Sequence, residues 1–433
     1  MAASPTTLTV GLLGCGVVGS GVVRLLRDHS DEIAGRVGAR LVIGPVVVRD
    51  PSKARDVEAE FTDDPDAVIG AEDVDIVVEV MGGIDPARDL LTRALKAGQS
   101  VVTANKELIA THGAELLSAA QGSSVRLEYE AAVAGAIPII KPMRESLAGD
   151  RVRKVLGILN GTTNYILTRM TEEGADLAPV LADAQALGYA EADPTADVGG
   201  HDAAAKAAIL ASLAFDAEVT QSQVFTEGIT AVTAVDIANA TRMGYVIKLL
   251  GIAEEIEDDD GVRSIGVRVH PAWVPAEHPL ASVRGSFNAI FVVADAAGEL
   301  MFYCRGAGSL PTASAVVGDV VTAARALLAG EQAPSPTVTR KPIRSIDEAR
   351  VQYYLQLHVA DEAGVLARVA AVFGDHDVSI RSVWQEGEED SAQLLLVTHA
   401  AREGNVRACV DALAHLDAVR AVSSVMRVEG REV

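Results

Sequence analysis

The sequence predicts an α/β protein in three parts, and three observations carry that reading. Strand-like and helix-like stretches alternate through residues 1–135. Past about Ala136 the texture shifts to longer strand-like runs mixed with helices, an α+β pattern with a mixed sheet, up to residue 330. A Pro-, Ser- and charge-rich stretch, Glu331–Arg350, then separates a short tail, residues 351–433, whose order is βαββαβ.

Leu8–Leu13 is an apolar β run, and Val17–Leu26 follows with helical spacing. A second strand, Leu41–Val48, stops at Arg49-Asp50-Pro51, and a third, Asp75–Val80, stops at Met81-Gly82-Gly83. Helix Asp85–Ala97, strand Ser100–Thr103, helix Lys106–Ala120 and strand Val125–Tyr129 complete a βαβ series, which implies a parallel sheet. In the central part Val152–Leu159, Ser264–Val269, Phe287–Val293 and Glu299–Cys304 read as strands. Thr163–Met170 and the Ala-rich Asp202–Phe215 read as helices on one face. The turn Gly306-Ala307-Gly308-Ser309-Leu310-Pro311-Thr312 opens a further helix, Ala313–Ala329, expected to return to the first domain over about residues 311–330. The tail runs Tyr353–Val359, Gly364–Phe373, Val378–Trp384, Ala392–Thr398, Asn405–Leu416 and Val419–Val428, read as an independent ferredoxin-like module.

Composition narrows the function. With 37 Lys and Arg against 60 Asp and Glu, the net charge of −23 disfavours nucleic acid or anionic membrane as a partner. Aromatic residues make up only 4%, too few for a base-stacking platform. Cys15, Cys304 and Cys409 have no CxxC spacing, so neither a disulfide framework nor a zinc site is expected. No basic leader or run of ~18 apolar residues is seen, and the expectation is a soluble, cytoplasmic protein.

Gly14-Cys15-Gly16-Val17-Val18-Gly19 is a GxGxxG placed directly between a strand and a helix. One glycine turns the chain, one admits a pyrophosphate, one packs helix on strand, and the first helical turn at Val17 and Val18 faces the anion. This is the fingerprint of a Rossmann dinucleotide-binding domain. Arg49 ends the second strand where NAD-binding chains usually place an acid, and Lys53 lies one turn on. Cations there favour the 2′-phosphate of NADP(H), while the adjacent Asp50 leaves NAD(H) open. Thr103-Ala104-Asn105-Lys106 sits at the carboxyl end of a parallel strand, the edge where such sheets hold ligands.

The stretch from Glu191 to Lys206 packs Glu191, Asp193, Asp197, Asp202 and Lys206 into sixteen residues beside an apolar helix. Asp202 and Lys206 are four apart and share a helical face. Alone, that is a solvated acidic loop with an ion pair. Beside a dinucleotide loop and Lys106 it becomes a grip for a small charged substrate with a proton donor attached. Asp193 and His201 are read as structural.

Taken in order, GxGxxG, TANK, EAxVAGxIP, NGTTNY, GYxExDPxxDxxGxDxxxK and GAGxxPT resemble homoserine dehydrogenase over nearly the whole chain, and the tail resembles the ACT domain of its long bacterial form. The resemblance implies reversible NAD(P)-dependent interconversion of L-aspartate 4-semialdehyde and L-homoserine. It implies Lys206 as proton donor, Lys106 as its companion near hydroxyl and cofactor, and Glu191 as acceptor for the substrate ammonium. Asp197 and Asp202 would contact substrate or orient the lysine, and Thr103, Ala104 and Gly308 would line the cofactor. It also implies a structural sodium ion held by the Glu130 carboxylate and the carbonyls of Val133, Gly135 and Ile137, a segment that read alone is only a domain crossover.

The chemistry agrees. Hydride transfer to an aldehyde leaves an alkoxide, and a lysine of ordinary pKa, about 10.4, is already the acid that step needs. Alcohol oxidation, which uses lysine as base, is therefore expected to quicken at alkaline pH. Ala360–Leu366 joins strand to helix in the tail, and glycine at the helix start leaves backbone N–H groups for a small carboxylate. The resemblance to ACT modules, which pair and bind amino acids at their joint interface, implies threonine, the end product, as feedback effector. A dimerisation role without ligand is the alternative, and ending the chain near Ser345 is expected to remove sensitivity but keep activity. A homodimer or homotetramer is expected. The competing functions are another Rossmann amino-acid dehydrogenase and a non-enzymatic nucleotide and amino-acid sensor. A sensor has no use for a proton donor.

Overall fold

A computed structural model describes residues 6–258, 261–306, 308–331, 340–388 and 391–430. Ala307 of the glycine turn and residues 332–339 of the linker lie outside the described residues. The chain forms two compact units. One comprises Met1–Val155, Ala205–Gln223 and Phe287–Lys341, the other Leu156–Ala204, Val224–Ser286 and Pro342–Val433.

The first unit is built on a six-stranded parallel sheet, ordered Phe61–Thr62, Arg40–Val47, Thr7–Leu13, Ile76–Glu79, Ser100–Thr103, Leu127–Glu128. The chain leaves Thr7–Leu13 on one side and returns to its other side at Ile76, so the carboxyl ends of those two strands form a topological switch point. Helix Val17–Asp28 buries Val22, Val23 and Leu26 against this sheet. Helix Ser309–Ala329 packs beside it through Val316, Val320, Ala323 and Ala324, all fully buried. The two helices approach so closely that a Cβ on Gly21 would stand 2.8 Å from that of Ala313. This return helix is long and apolar enough to cross a membrane, but its apolar side belongs to the core of this unit. It starts at Ser309, earlier than the spacing indicated, because Gly308 (φ 134°) ends the preceding turn there. Helix Ser30–Val37, closed by left-handed Gly38, escapes the sequence reading because it is short, polar and continuous with the helix before it.

In the second unit the strands run in the order Tyr245–Glu257, Arg263–Pro275, Val419–Val428, Arg350–Ala360, Ser391–Thr398, Ile380–Glu388. The last four keep the fourth-first-third-second order of a βαββαβ module. Helices Val365–Asp375 and Glu403–Ala414 cover one face through Val369, Phe373, Cys409 and Leu413. The expectation of an independent module is corrected here: Val419–Val428 pairs in parallel with Arg263–Pro275 through Ala272–Arg427 and Trp273–Val428. Trp273, fully buried, stacks on Tyr354 with ring centroids 3.8 Å apart. Buried Arg268 donates to Glu254 at 2.5 Å and to Glu429 at 2.7 Å. Strand pairing and ion pairs between distant segments leave no local pattern, so the linker's composition alone suggested separation.

Other omissions have local causes. Ser264–Val269 continues to Pro275, past a His-Pro step that read as a strand end. Tyr245–Glu257, its long antiparallel partner, is buried on both faces over much of its length and lacks clean alternation. Helices Leu177–Ala186 and Ala234–Arg242 also went unread, although Thr233 and Asp236 form a reciprocal capping box at the start of the second.

Candidate active site

The three glycines of the loop differ in their surroundings. Gly14 (φ 101°) donates its N–H to the Val47 carbonyl at 2.9 Å, and a Cβ there would meet the Val80 backbone at 3.0 Å. A Cβ on Gly19 would collide with the Gly14 carbonyl at 2.5 Å, so this residue sets helix against turn. Gly16 has open space on its Cβ side. No side chain caps the helix it starts, and Val17 is exposed while Val18 is half-buried. Ser309 donates to the Val17 carbonyl at 2.7 Å, tying the Gly308 turn to the start of this helix.

At the end of the second strand Arg49 and Lys53 are both exposed. The Asp50 carboxylate is already engaged: it accepts from the Ser52 N–H at 2.9 Å and the Ser52 hydroxyl at 2.6 Å, bonds that hold it below the usual carboxylate range. Arg55, not foreseen, donates to the carbonyls of Lys53 and Asp50 and lies over the Phe61 ring at 4.8 Å. The turn therefore presents cations while its acid is occupied internally.

The Thr103–Lys106 segment is organised by Glu79, a fully buried carboxylate that sequence reasoning passed over. It accepts from Thr103 Oγ1 at 2.6 Å and from the N–H groups of Met81 and Gly82 at 2.7 and 3.0 Å. Asn105 donates to the Gly83 carbonyl at 2.6 Å and caps the helix Lys106–Gly122 through the Leu108 N–H. The loop after one strand and the start of the next helix are thus one hydrogen-bonded edge, with Ala104 and Lys106 half-buried on it.

In the second unit Asn160 is the organiser. Its amide nitrogen donates to Asp197 Oδ1 at 2.7 Å and to Asp202 Oδ2 at 2.8 Å, and its carbonyl oxygen caps helix Gly161–Glu173 by accepting the Thr163 N–H at 2.8 Å. The NGTTNY motif contained this residue, but no local rule tells that one amide joins two acids 37 and 42 positions on. Asp202 and Lys206, buried at 8% and 9% exposure, stand one turn apart on helix His201–Ala214 among fully buried alanines. Glu191 is exposed, and its main chain is held by Gln185. Asp193 accepts from Thr195 and fixes the turn, which keeps its carboxyl below the usual range. Deeper in the same unit, Lys248 donates to Asn164 Oδ1 at 2.9 Å and to the Val283 carbonyl at 2.5 Å, and burial pulls its pKa down to about 8.

Glu130 accepts from the N–H groups of Ile139, Ile140 and Lys141 at 2.6, 2.7 and 3.0 Å. Its own N–H goes to Asp319 on the return helix at 2.8 Å, and Asp319 pairs with Lys141 at 2.8 Å. Burial raises the Asp319 carboxyl to about 7 against the pull of that lysine. Between Glu130 and Ile139 the backbone takes two consecutive left-handed residues, Ala134 (φ 55°) and Gly135 (φ 63°). Val133, Ala134 and Ile137 are fully buried. Among the described residues no three His, Cys, Asp or Glu side chains converge as metal ligands. A cavity of about 530 Å³ in the first unit is lined by Ile109, Leu117, Tyr129, Met143, Arg144 and Leu213, among others. Neither Lys106 nor Lys206 nor any residue of the glycine loop lines it, so it is not the candidate site.

These motifs match known families in the same order. Residues 14–130 match the homoserine dehydrogenase NAD-binding domain, residues 138–321 the homoserine dehydrogenase domain, and residues 353–415 the ACT domain. The homoserine dehydrogenase of Corynebacterium glutamicum is 52% identical over 423 residues, covering 97% of this chain and 95% of that one. The chain belongs to the homoserine dehydrogenase family. Its activity is the reversible NAD(P)H-dependent reduction of L-aspartate 4-semialdehyde to L-homoserine. The crystal structure of a homoserine dehydrogenase from Thiobacillus denitrificans superposes with a TM-score of 0.93 at 40% identity, covering 98% of this chain and 99% of that one. A hyperthermophilic archaeal homoserine dehydrogenase in complex with NADPH superposes with a TM-score of 0.62 at 26% identity over 73% of this chain and 98% of its own.

Proposed function

We propose that Lys206 is the proton donor of this homoserine dehydrogenase and that Asp197 and Asp202, locked by Asn160, set the substrate it acts on. The observation that carries the assignment is the Asn160 amide bonded to both carboxylates, with Lys206 one turn beyond Asp202 on an alanine-rich helix. An acid held by a neutral donor has a fixed place, as positioning a substrate requires. Glu191, exposed on the neighbouring loop, is proposed as the acceptor of the substrate ammonium. When bound, the nicotinamide gives or takes the hydride. Lys206 protonates the developing alkoxide, and Lys106, on the edge organised by Glu79, adds positive charge beside it. Replacing Lys206 by Ala is expected to lower kcat at least 1000-fold while the cofactor Kd stays within threefold. Turnover within tenfold of wild type refutes the assignment.

Gly14, Gly16, Val17, Val18, Gly19, Thr103, Ala104 and Gly308 are proposed to hold the dinucleotide, with Arg49 and Lys53 on a 2′-phosphate. The occupied Asp50 carboxylate supports NADP(H) over NAD(H), and the archaeal relative carries NADPH. The left-handed pair Ala134–Gly135 turns successive carbonyls in a buried loop beside the Glu130 carboxylate. Oxygen donors of this kind suit a hard cation such as sodium, with Val133, Gly135 and Ile137 supplying carbonyls. Its role is to brace the loop. The ACT domain is proposed to bind threonine as a feedback effector, and the exposed Tyr303 on strand Gly298–Arg305 supports self-association into a homodimer or homotetramer. The acidic surface suits the cytoplasm.

A further inference from the structure

The strip Phe225–Gly228 has two faces with different owners. It lies in parallel beside Arg263–Pro275, pairing Phe225 with Arg268 and Thr226 with Val269, and the Glu227 N–H continues the pairing to the Val269 carbonyl at 2.8 Å. Successive residues of an extended strip point to opposite sides. Phe225 and Glu227 face the terminal module. The Arg427 guanidinium lies over the Phe225 ring at 5.1 Å and donates to Glu227 at 2.8 Å. Arg427 is itself fixed from the module's side by Glu403, which it meets through Nε at 2.9 Å and again through Nη2, and the Tyr353 hydroxyl donates to the same carboxylate.

The other face backs the acidic turn. A Cβ on Gly228 would lie 2.1 Å from the Val198 carbonyl oxygen and 2.7 Å from the Gly199 Cα, so backbone rests directly on backbone. Ile229 donates its N–H to the same Val198 carbonyl at 2.8 Å. A Cβ on left-handed Gly200 would meet the Thr226 methyl at 3.2 Å and the Glu227 carbonyl at 3.4 Å. Val198, Gly199 and Gly200 are three of the four residues between Asp197 and Asp202, and both acids end on Asn160.

We infer that Arg427 and Glu227 are positioning residues for substrate binding: the last strand of the ACT module holds the strip, and the strip sets the separation of Asp197 and Asp202. The inference rests on the reading of those two acids as the substrate grip. It makes the module part of the binding machinery even without effector, because its arginine is one wall of the support.

Steady-state kinetics on the full chain test this with E227Q, R427Q and the double variant. The Glu227 side chain is half-exposed, so E227Q perturbs the fold little. Each single variant is expected to raise the KM for homoserine at least threefold while the KM for the nicotinamide cofactor stays within 1.5-fold. The double variant is expected to be no worse than the poorer single one, as for two members of one contact. G228A, which drives a methyl into the Val198 carbonyl, is expected to raise the same KM tenfold or more. A homoserine KM unchanged in E227Q, or a double variant whose effects multiply, overturns the link. D202N separates the two levels of the argument: a wild-type KM in D202N overturns the grip itself. A raised KM in D202N with none in E227Q leaves the grip standing and removes only the link.

Discussion

Replacing Asn160 by Asp changes one atom group and reverses its sense. The retained Oδ1 still accepts the Thr163 N–H, now 2.8 Å away, so the cap on helix Gly161–Glu173 survives. The amide nitrogen, 2.7 and 2.8 Å from two carboxylate oxygens, becomes a third carboxylate oxygen. A hydrogen bond to a charged group is worth about 1.5–3 kcal/mol. Asp197 is only half-buried, so its share is discounted for solvent screening, whereas Asp202 is buried. Together the loss comes to about 3 kcal/mol, roughly 100-fold in kcat/KM for homoserine. The sign with pH follows from the crowding. A carboxyl facing two others has its pKa raised, and below that value its O–H donates where the amide did. The variant's activity relative to wild type is therefore expected to improve as pH falls from 8 toward 6 and to be lost as pH rises through the raised pKa. Initial rates over varied homoserine at several pH values, with Tm as the control for the cap, measure this. A variant within threefold of wild type at pH 8, or a relative activity flat with pH, refutes the role given to Asn160.

Arg49→Ala is expected to raise the KM for NADPH at least tenfold more than that for NADH; equal effects on both would sink the 2′-phosphate assignment. Ending the chain at Ser345 is expected to yield an unstable protein rather than a desensitised enzyme. It strips buried Arg268 of Glu429, a change worth about 3–5 kcal/mol, and removes Tyr354 from Trp273. Thermal melting decides, and a truncated chain with wild-type Tm contradicts the shared sheet. Activity is expected to be higher in sodium chloride than in choline chloride at equal ionic strength, and indifference to the cation counts against the carbonyl site at Glu130.

The first unit was largely legible because parallel βαβ units announce themselves. Apolar strands end in glycines, and helices start where a ligand needs free N–H groups. The charged site residues were legible as a string but not as a constellation. Asn160 and Glu79 are polar residues whose partners lie tens of positions away, and each is spent on orienting others. Neither stands out by type, since an Asn after a strand reads as a cap and a Glu within one reads as a surface position. That the module shares a sheet with the central strands escaped the sequence for a related reason. Arg268, Trp273 and Tyr354 are ordinary residues in their own segments, and only their meeting fuses two patterns into one sheet.

The return helix Ser309–Ala329 also has a consequence in time. It completes the core under Thr7–Leu13, yet about 180 residues separate it from the last strand of that sheet, Leu127–Glu128. At a synthesis rate of ~5–20 residues per second, the nascent dinucleotide-binding sheet waits roughly 10–40 s with Val10, Leu12 and Val22 lacking their final cover. During that interval the half-finished sheet exposes apolar surface of the kind that aggregates. A fragment cut at the end of its own strands would never leave that condition.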